Sequence, residues 1–586
     1  MMIPCIKMMR LLPFLLAVFF FAAGLRAAAS PEAPRHLRYA VTYSDRNGTP
    51  GLDVTLTFAG SGAGTSLFNL PPPTGLTPGV AYPDVSDVRA TSAGTTIADT
   101  DKPQVKRLTY PPGQSVTLAY RMTVTEAGQQ MELAYSPQMT SDHVSILGSQ
   151  LFALPNWGAN TPLTVDITWA LPMGWVLTDS YSVQQPRQTF TATPETLQRN
   201  VWAAGDYRIS HTLIRGKPVY LAVHGKWPTP DRQMLANLSR IMGAERAFWH
   251  DDSTPYYLIV LNTSDADTAG MSFPNSFYVA APPAEGLGPI AERIFAHEAF
   301  HAWLPYRITL AGPPHTYDWF YEGFADYYAR LFLLRGGLLS PQQYTDDCNA
   351  KIRDYVSSPF RNISGPQFRR GLKHGGSDYR VLKIVYLRGD LLAQRWNALI
   401  RLSSHGRYSL DDVMLDLLRA AGTAHRPLQA ADLVGAIGRY AHRDVSGDIL
   451  HYGEQGATLV PDPAALGPCA QLLPTRTTLF DMGYDLSSSS HQGKIVGAKV
   501  GSNAYRAGLR DGQTYLDIDF KNGDPAKKAR ITVKDQAAQR VVTYYPAGET
   551  VLIPQYKLRP GELDAACLSW FGFVPYQERR GRNRVQ

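Results

Sequence analysis

The segment GPIAERIFAHEAFHAWLPYR, residues 288–307, is the stretch that decides the fold class and the chemistry predicted for this 586-residue chain. On a helix, His297 and His301 are four residues apart and therefore lie on one face, about one turn from each other. Two imidazoles in this arrangement can bind one tetrahedral zinc ion, and Glu298 beside the first ligand can act as a general base. The alternative is a helix with two ordinary histidines. With 14 His in the chain, this spacing arises by chance in roughly one chain in a hundred.

A second motif, YDWFYEGFADYYAR at residues 317–330, supplies the expected third ligand. Catalytic zinc sites use three protein ligands and leave one position open, so Glu322 would complete a His, His, Glu set. Asp326, one turn further on, is expected to accept the free N–H of a ligand histidine. The alternative, a pair of solvated carboxylates, is disfavoured because aromatic residues leave this helix little polar surface: Trp319, Phe320, Phe324 and Tyr328.

The N-terminus has the pattern of a secretory signal peptide, residues 1–29. Lys7 and Arg10 precede an apolar run at residues 11–23, and three alanines follow at 27–29, which is the expected order. The sequence therefore predicts a secreted or periplasmic protein with no stable membrane span after cleavage. An uncleaved anchor is the alternative, although the run is shorter than the roughly 20 residues of a transmembrane helix.

Composition excludes some function classes. A hydrophobic content of 44% and a charged content of 18% are typical of globular domains, of which this length predicts several. The formal charge of +7 falls to about +4 without Lys7, Arg10 and Arg26, and such a mild charge gives no case for nucleic-acid binding.

Periodicity divides the rest of the chain into units. Short alternating runs at 35–215 predict an all-β, sandwich-like domain. Helical patterns dominate 216–456, the expected catalytic domain, and a Pro-rich stretch at 457–474 suggests a linker. Residues 475–560 again look β-rich, with one strand expected at 493–500, and 561–586 form a C-terminal tail. Of the cysteines, Cys469 and Cys567 bracket the β-rich unit and are the preferred disulfide pair, which leaves Cys348 free.

These motifs resemble the glycyl aminopeptidase-type metallopeptidases of the gluzincin group. HEAFHAW (297–303) and WFYEGFADYY (319–328) match the family's zinc helix and third-ligand helix, and GSNAYRAGLRDGQ (501–513) is similar to part of its PDZ domain. The resemblance implies an N-terminal β domain, a thermolysin-like catalytic domain and a C-terminal PDZ domain. It further implies one zinc ion per chain, a peptide or protein substrate, and a candidate peptide ligand at the PDZ-like domain.

The resemblance also implies an oxyanion donor. VYLRGD, residues 385–390, is similar to a tyrosine motif that opens a helix in this family, so the hydroxyl of Tyr386 would donate to the tetrahedral transition state. The alternative is an ordinary core tyrosine, with Tyr379 or His374 in the catalytic role.

One departure concerns the substrate's amino terminus. AGMSFPNS, residues 269–276, matches the strand on which relatives carry an amine-binding glutamate, and its expected substrate-binding positions are Gly270, Met271 and Ser272. Ser272 stands where the glutamate would be, and a hydroxyl cannot offer a charged partner to an ammonium group. The resemblance as a whole implies a zinc-dependent, aminopeptidase-like exopeptidase. Because of Ser272, an endopeptidase or another peptidase specificity is the first alternative, and a catalytically inert binding protein with β and PDZ-like domains is the second.

Overall fold

The computed structural model describes residues 34–71, 84–124, 137–264, 268–283, 289–373, 379–424, 426–521, 523–535, 538–560 and 565–573. The predicted signal peptide at 1–29 lies outside these ranges. Within them, no helix combines the length and the apolar character needed to cross a membrane.

The described residues of the N-terminal unit form fourteen strands in three sheets. Alternation explains its core: in the second strand Leu52, Val54, Leu56 and Phe58 are all at most 3% exposed, because successive side chains point to opposite faces. The elements are β1 (Arg35–Arg46), β2 (Thr49–Ala59), β3 (Thr65–Asn69), β4 (Asp84–Ala90), β5 (Thr96–Asp99), β6 (Val105–Thr109), β7 (Ser115–Thr123), β8 (Gln138–Met139), β9 (His143–Leu147), α1 (Gly148–Leu151), β10 (Leu154–Pro155), β11 (Leu163–Ala170), β12 (Val176–Asp179), β13 (Arg187–Ala192), α2 (Pro194–Gln198) and β14 (Val201–Gly205). The strand orders in the three sheets are β13-β11-β1-β2-β7-β4, β10-β3-β6-β5 and β12-β14-β9-β8.

A five-stranded sheet begins the second unit. Its strands are β15 (Arg208–Ile214), β16 (Lys217–Val223), β17 (Tyr257–Thr263), β18 (Ala269–Phe273) and β19 (Ser276–Ala281). Their order in the sheet is β15-β16-β17-β19-β18. β15 pairs with β16 along its whole length, so the predicted domain boundary at 215/216 cuts through a hairpin. The alternating pattern of β15 resembles the preceding β domain, and only its pairing assigns it to this sheet.

Helices pack against this sheet and against one another around the largest apolar core of the described residues. They are α3 (Asp231–Trp249), α4 (Pro289–Phe300), α5 (Asp318–Arg335), α6 (Pro341–Ser357), α7 (Gly365–Lys373), α8 (Tyr379–Ser403), α9 (Leu410–Ala424), α10 (Ala430–Ala441) and α11 (Ser446–Asp448), followed by a π-helical turn (Ile449–Glu454). α5 and α8 meet at two glycines, Gly323 and Gly389, whose backbones are in direct contact.

The expected linker at 457–474 is instead a packed part of the structure. Leu459, Ala465 and Leu466 are at most 5% exposed and belong to the main core. A 3₁₀ turn (Gly467–Cys469) leads into β20 (Ala470–Phe480), which pairs with β24 (Ala547–Leu558) as a two-stranded ribbon. Proline content suggested a flexible linker, but here it accompanies buried apolar side chains, so that interpretation was wrong.

A disulfide joins Cys469 to Cys567 at the base of this ribbon, as the cysteine positions suggested, and Cys348 is a buried free thiol. Cys567 lies in α14 (Ala565–Trp570), and the following Phe571 is 2% exposed in the main core. The predicted tail at 561–586 therefore includes a docked helix. The arginine-rich residues 579–584, expected to be solvated, lie outside the described residues.

The C-terminal β unit has its own apolar core between Met482 and Tyr544. It contains α12 (Leu486–Gln492), α13 (Asn503–Arg506), β21 (Thr514–Asp519), β22 (Ala529–Asp535) and β23 (Ala538–Tyr544), with β22 at the centre of a three-stranded sheet. The strand expected at 493–500 was wrong, because this stretch makes only an isolated bridge between Lys494 and Thr514.

Candidate metal centre

Two adjacent helices bring together the predicted ligands His297, His301 and Glu322. α4 carries His297 in its last turn and ends at Phe300, and the turn that follows carries His301. The Nε2 atoms of the two histidines are 3.0 Å apart. Glu322 on α5 places its Oε2 3.1 Å from the first of these atoms and 3.5 Å from the second. Three ligand atoms therefore converge on one point.

The spacing and protonation of these atoms fit a zinc ion. Ligands about 2.0–2.1 Å from a tetrahedral ion are roughly 3.3 Å from one another, close to the three distances observed. Nδ1 of His297 faces Asp326 Oδ1 at 3.1 Å, and Nδ1 of His301 faces the carbonyl of Leu304 at 2.7 Å. Each Nδ1–H therefore donates outward, and in the neutral rings both Nε2 lone pairs point inward.

Buried charge surrounds these ligands. Burial alone would raise the pKa of Glu322 and of Asp326, but the histidines, and for Asp326 also Lys351 on α6, more than offset it and hold both pKa values well below the ordinary range. Burial lowers the pKa of His297, whereas its bonds to Asp326 and Glu322 raise it to about 10 overall. Carboxylates and imidazoles thus stabilise one another's charge here, and the carboxylates would likewise stabilise a bound cation.

Glu298 lies between the ligands and the edge strand β18. Its side chain is 8% exposed, and this burial raises its pKa, although His297, His301 and a hydrogen bond with Ser272 counteract the rise. A Cβ on Gly270 would lie only 2.6 Å from Glu298 Oε1, so the backbone of β18 passes directly beside the carboxylate. A carboxyl with a raised pKa is suited to accepting and returning a proton.

The other two predicted positions on β18 differ in orientation. Ser272 faces Glu298, and its carbonyl accepts a 2.5 Å hydrogen bond from the hydroxyl of Tyr306. The side chain of Met271 packs with Phe273 and Tyr278 in a separate apolar cluster, because alternate residues of a strand point to opposite faces.

Tyr386 reaches the centre from α8. Its ring lies 5.8 Å from that of His297, with the two planes 23° apart. The expectation that this tyrosine opens a helix was wrong, since α8 begins at Tyr379 and continues to Ser403. His374 and the side chain of Tyr379, the alternatives for its role, lie outside the described residues, as do Asp265, Asp267 and Glu285, which could bind a substrate's amino terminus.

Two residues beside the candidate centre were not predicted from the sequence: Lys351 and Tyr306. Lys351 forms an ion pair with Asp326, and Tyr306, whose pKa burial raises to about 12, contacts Ser272. Neither residue belongs to a recognisable sequence motif. Tyr306 lies only five residues after His301, so its position near the centre could have been predicted. Lys351 is far from the ligands in sequence and comes close to them only because α6 packs beside α5.

Comparisons with known proteins give a family match over the two ligand helices and a structure of similar overall fold. Residues 291–367, which span both ligand helices, match the M61 glycyl aminopeptidase family. A crystal structure of an aminopeptidase N family protein from Idiomarina loihiensis is 13% identical, covers 92% of this chain and 100% of its own, and has a TM-score of 0.69. An M1 zinc metallopeptidase from Deinococcus radiodurans is 16% identical over 73% of this chain and 96% of its own, with a TM-score of 0.46. No curated protein matches significantly. The overall fold is therefore that of the aminopeptidase N family structure.

Substitutions at Glu322 and Asp326 should separate a direct ligand from a supporting residue. Glu322→Ala removes a ligand atom and should abolish tight zinc binding at this centre. Asp326→Asn keeps all three ligands but removes the anionic partner of His297, so zinc affinity should fall by roughly 10- to 100-fold. Competition with a chromophoric chelator measures both effects. Asp354→Asn, which removes a part-exposed carboxylate 2.7 Å from Lys383, is the control, and unchanged affinity in Glu322→Ala would show that Glu322 is not a ligand.

Proposed function

We propose that this chain is a zinc-dependent peptidase with aminopeptidase-like organisation. The observation that carries the proposal is the convergence of His297, His301 and Glu322 on one point, with the buried carboxylate of Glu298 beside them and an edge strand alongside. Ligands, base and a backbone edge in contact are the parts that metal-assisted hydrolysis of a peptide requires.

Glu298 would carry the proton transfers. A zinc ion held by the three ligands would polarise the peptide carbonyl and lower the pKa of a water molecule. Glu298 accepts the proton of the attacking water and then passes it to the leaving amine, which restores the carboxylate. Its burial and its bond with Ser272 hold it in place beside β18.

Tyr386 would stabilise the negative charge that develops on the carbonyl oxygen. Its ring is nearly parallel to that of His297 at 5.8 Å, and this contact with a proposed ligand supports the role. A phenol that donates to an oxyanion acts mainly in the transition state, because the ground-state carbonyl carries less charge.

β18 would align the substrate. Among the described residues it pairs only with β19, so its other edge offers backbone N–H and C=O groups to an extended peptide. Glu298 lies over the face of β18 at Gly270, so a strand added beside β18 would pass near the base.

Ser272 bears on specificity. Its hydroxyl interacts with Glu298 and offers no negative charge, so this position supplies no anchor for a substrate's ammonium group. This favours an activity that does not depend on a free amino terminus, as in an endopeptidase. The alternative of an inert binding protein leaves the complete set of ligands and base unexplained.

We also propose secretion or periplasmic location and a PDZ-like, peptide-binding role for residues 475–560. The buried Cys469–Cys567 disulfide supports an oxidising compartment. A separate apolar core in the C-terminal β unit supports an independent module, held by the β20–β24 ribbon.

Glu298→Gln tests the proposed function itself. The amide keeps the shape of the side chain but cannot accept the proton, so peptide hydrolysis should fall at least 1,000-fold, about 4 kcal/mol, while zinc content is unchanged. Glu292→Gln, on the same helix and outside the centre, is the matched control and should retain activity. Full activity of Glu298→Gln against peptide libraries would refute the mechanism, and an inactive wild-type enzyme with bound zinc would support the binding-protein alternative.

Tyr386→Phe should lower kcat by roughly 100- to 1,000-fold, the usual effect of losing one oxyanion donor. KM should change little, because the hydroxyl contributes mainly in the transition state. Steady-state kinetics on one fluorogenic peptide separate these parameters, with the exposed Tyr408→Phe as control. An unchanged kcat would show that Tyr386 only packs in the core.

Acetylation of a peptide's amino terminus should cost this enzyme less than tenfold in kcat/KM. The reason is Ser272: truncating one partner of a buried charge pair costs roughly 2–5 kcal/mol, and this position has no such pair to lose. The measurement compares one peptide with and without the acetyl group. A drop of a hundredfold or more, about 2.7 kcal/mol, would establish an amine anchor and an aminopeptidase specificity.

A further inference from the structure

A second group of imidazoles and carboxylates lies at the junction of the N-terminal β unit and the five-stranded sheet. Asp142 and His143 stand at the start of β9, Asp206 lies between β14 and β15, and His224 directly follows β16. The two imidazoles are 6% and 7% exposed and stack with ring centroids 3.7 Å apart. The group shares no residue with the candidate hydrolytic centre.

Hydrogen bonds behind the group determine which nitrogen of His143 is available. The side-chain amide of Asn262 donates to Gln138 Oε1 at 2.8 Å, so it is this oxygen that faces Nε2 of His143 at 2.9 Å. Nε2 must then carry a proton. The hydroxyl of Tyr207 donates in turn to Asn262 Oδ1 at 2.9 Å, which holds the amide in this orientation.

Nδ1 of His143 consequently carries a lone pair in the neutral ring, and it faces Asp142 Oδ1 at 3.0 Å. The Thr140 hydroxyl lies near both atoms, but its single proton can bond only one of them. A lone pair against a carboxylate oxygen at this distance is repulsive unless a proton or a metal cation lies between them.

His224 adds a second imidazole to the group. Its Nε2 lies 3.2 Å from Asp206 Oδ1 and 3.6 Å from Asp142 Oδ2. Its Nδ1 is buried and has no hydrogen-bond partner among the described residues, so no contact requires the proton to lie on Nε2. One divalent ion beside the stacked rings would neutralise both carboxylates and use a lone pair of each ring.

We propose that Asp142, His143 and His224 bind a second divalent transition-metal ion of the zinc class, with Asp206 as a fourth ligand. Imidazole nitrogens and carboxylate oxygens are ligands that zinc accepts. One ligand atom from each of the first three residues lies within 4.8 Å of the others. A tetrahedral site needs about 3.3 Å, so binding requires side-chain movements of about one ångström. The two carboxylates are more than half exposed, which gives an ion access from solvent.

The position of this site indicates a structural role. Asp142 and His143 belong to the β unit, whereas His224 belongs to the sheet that supports the hydrolytic centre. An ion bound to both would cross-link the two units and stabilise the folded state in proportion to its occupancy.

Metal counting on the full chain tests the proposal. After dialysis against buffered free zinc, the wild type should hold two zinc ions per chain and Asp142→Asn one. Asp142 is largely exposed, so the amide should not disturb folding, and His224→Gln provides a second variant. His211→Gln, an exposed histidine on β15, is the control and should keep two ions. A wild type with one ion, or an Asp142→Asn variant with two, would overturn the assignment.

The number of bound zinc ions in these variants distinguishes the second site from the proposed hydrolytic centre. Glu322→Ala should retain one ion, and the Glu322→Ala, Asp142→Asn double variant none. Zinc should raise the thermal unfolding midpoint of Glu322→Ala by a few degrees at a concentration about 100-fold above the dissociation constant, and should leave that of the double variant unchanged. If Glu322→Ala lost no ion while Asp142→Asn lost one, the second site would stand and the proposed hydrolytic centre would fail. No zinc-dependent shift in Glu322→Ala would instead reject the second site.

Discussion

The close crossing of α5 and α8 is the constraint on which the hydrolytic centre depends. A Cβ on Gly389 would lie 1.7 Å from the carbonyl oxygen of Trp319, and a Cβ on Gly323 would lie 2.4 Å from the Cα of Gly389. Because these neighbours are backbone atoms, no side-chain rotation could relieve either contact. Glu322 precedes one glycine and Tyr386 lies three residues before the other, so the crossing sets the separation of the proposed metal ligand from the proposed oxyanion donor.

A buried ion pair holds the same two helices in register. Arg330 on α5 makes a bidentate contact with Asp390 on α8, and both side chains are at most 1% exposed. Gln394 donates a further hydrogen bond to Asp390 at 2.7 Å. Removing one partner of such a pair costs roughly 3–5 kcal/mol, because it leaves an uncompensated buried charge. The pair therefore resists sliding of one helix along the other, which would move Glu322 relative to Tyr386.

At both proposed metal sites, a bound cation would compensate the negative charge of carboxylates. At the proposed hydrolytic centre, Lys351 neutralises Asp326, and a bound dication would balance the charge of Glu322 and Glu298. At the junction of the β unit and the sheet, two carboxylates that are more than half exposed face two buried imidazoles. Burial makes an unpaired charge expensive at the first site, whereas solvent screens the carboxylates of the second. Only the first site has a candidate base and a strand edge beside it, and for this reason we propose chemistry at one site and stabilisation at the other.

Sequence reasoning was most informative where interactions are local. The helix at 318–335 follows from the aromatic motif. The pairs His297 with His301 and Glu322 with Asp326 follow from the four-residue repeat of a helix, which depends on neighbouring residues alone. The preferred disulfide between Cys469 and Cys567 required only that the two cysteines flank one unit.

Tertiary structure decided what depends on residues distant in the chain. It assigned β15 to the second sheet, packed the Pro-rich segment 457–474 into the core, and brought Lys351 to Asp326. It also placed His143 against His224, which no motif connects. Side-chain patterns report which face of an element is buried, but they do not specify its partner. Partners are selected by how whole elements pack, and so these two four-residue pairs could be predicted from the sequence whereas the complete candidate sites could not.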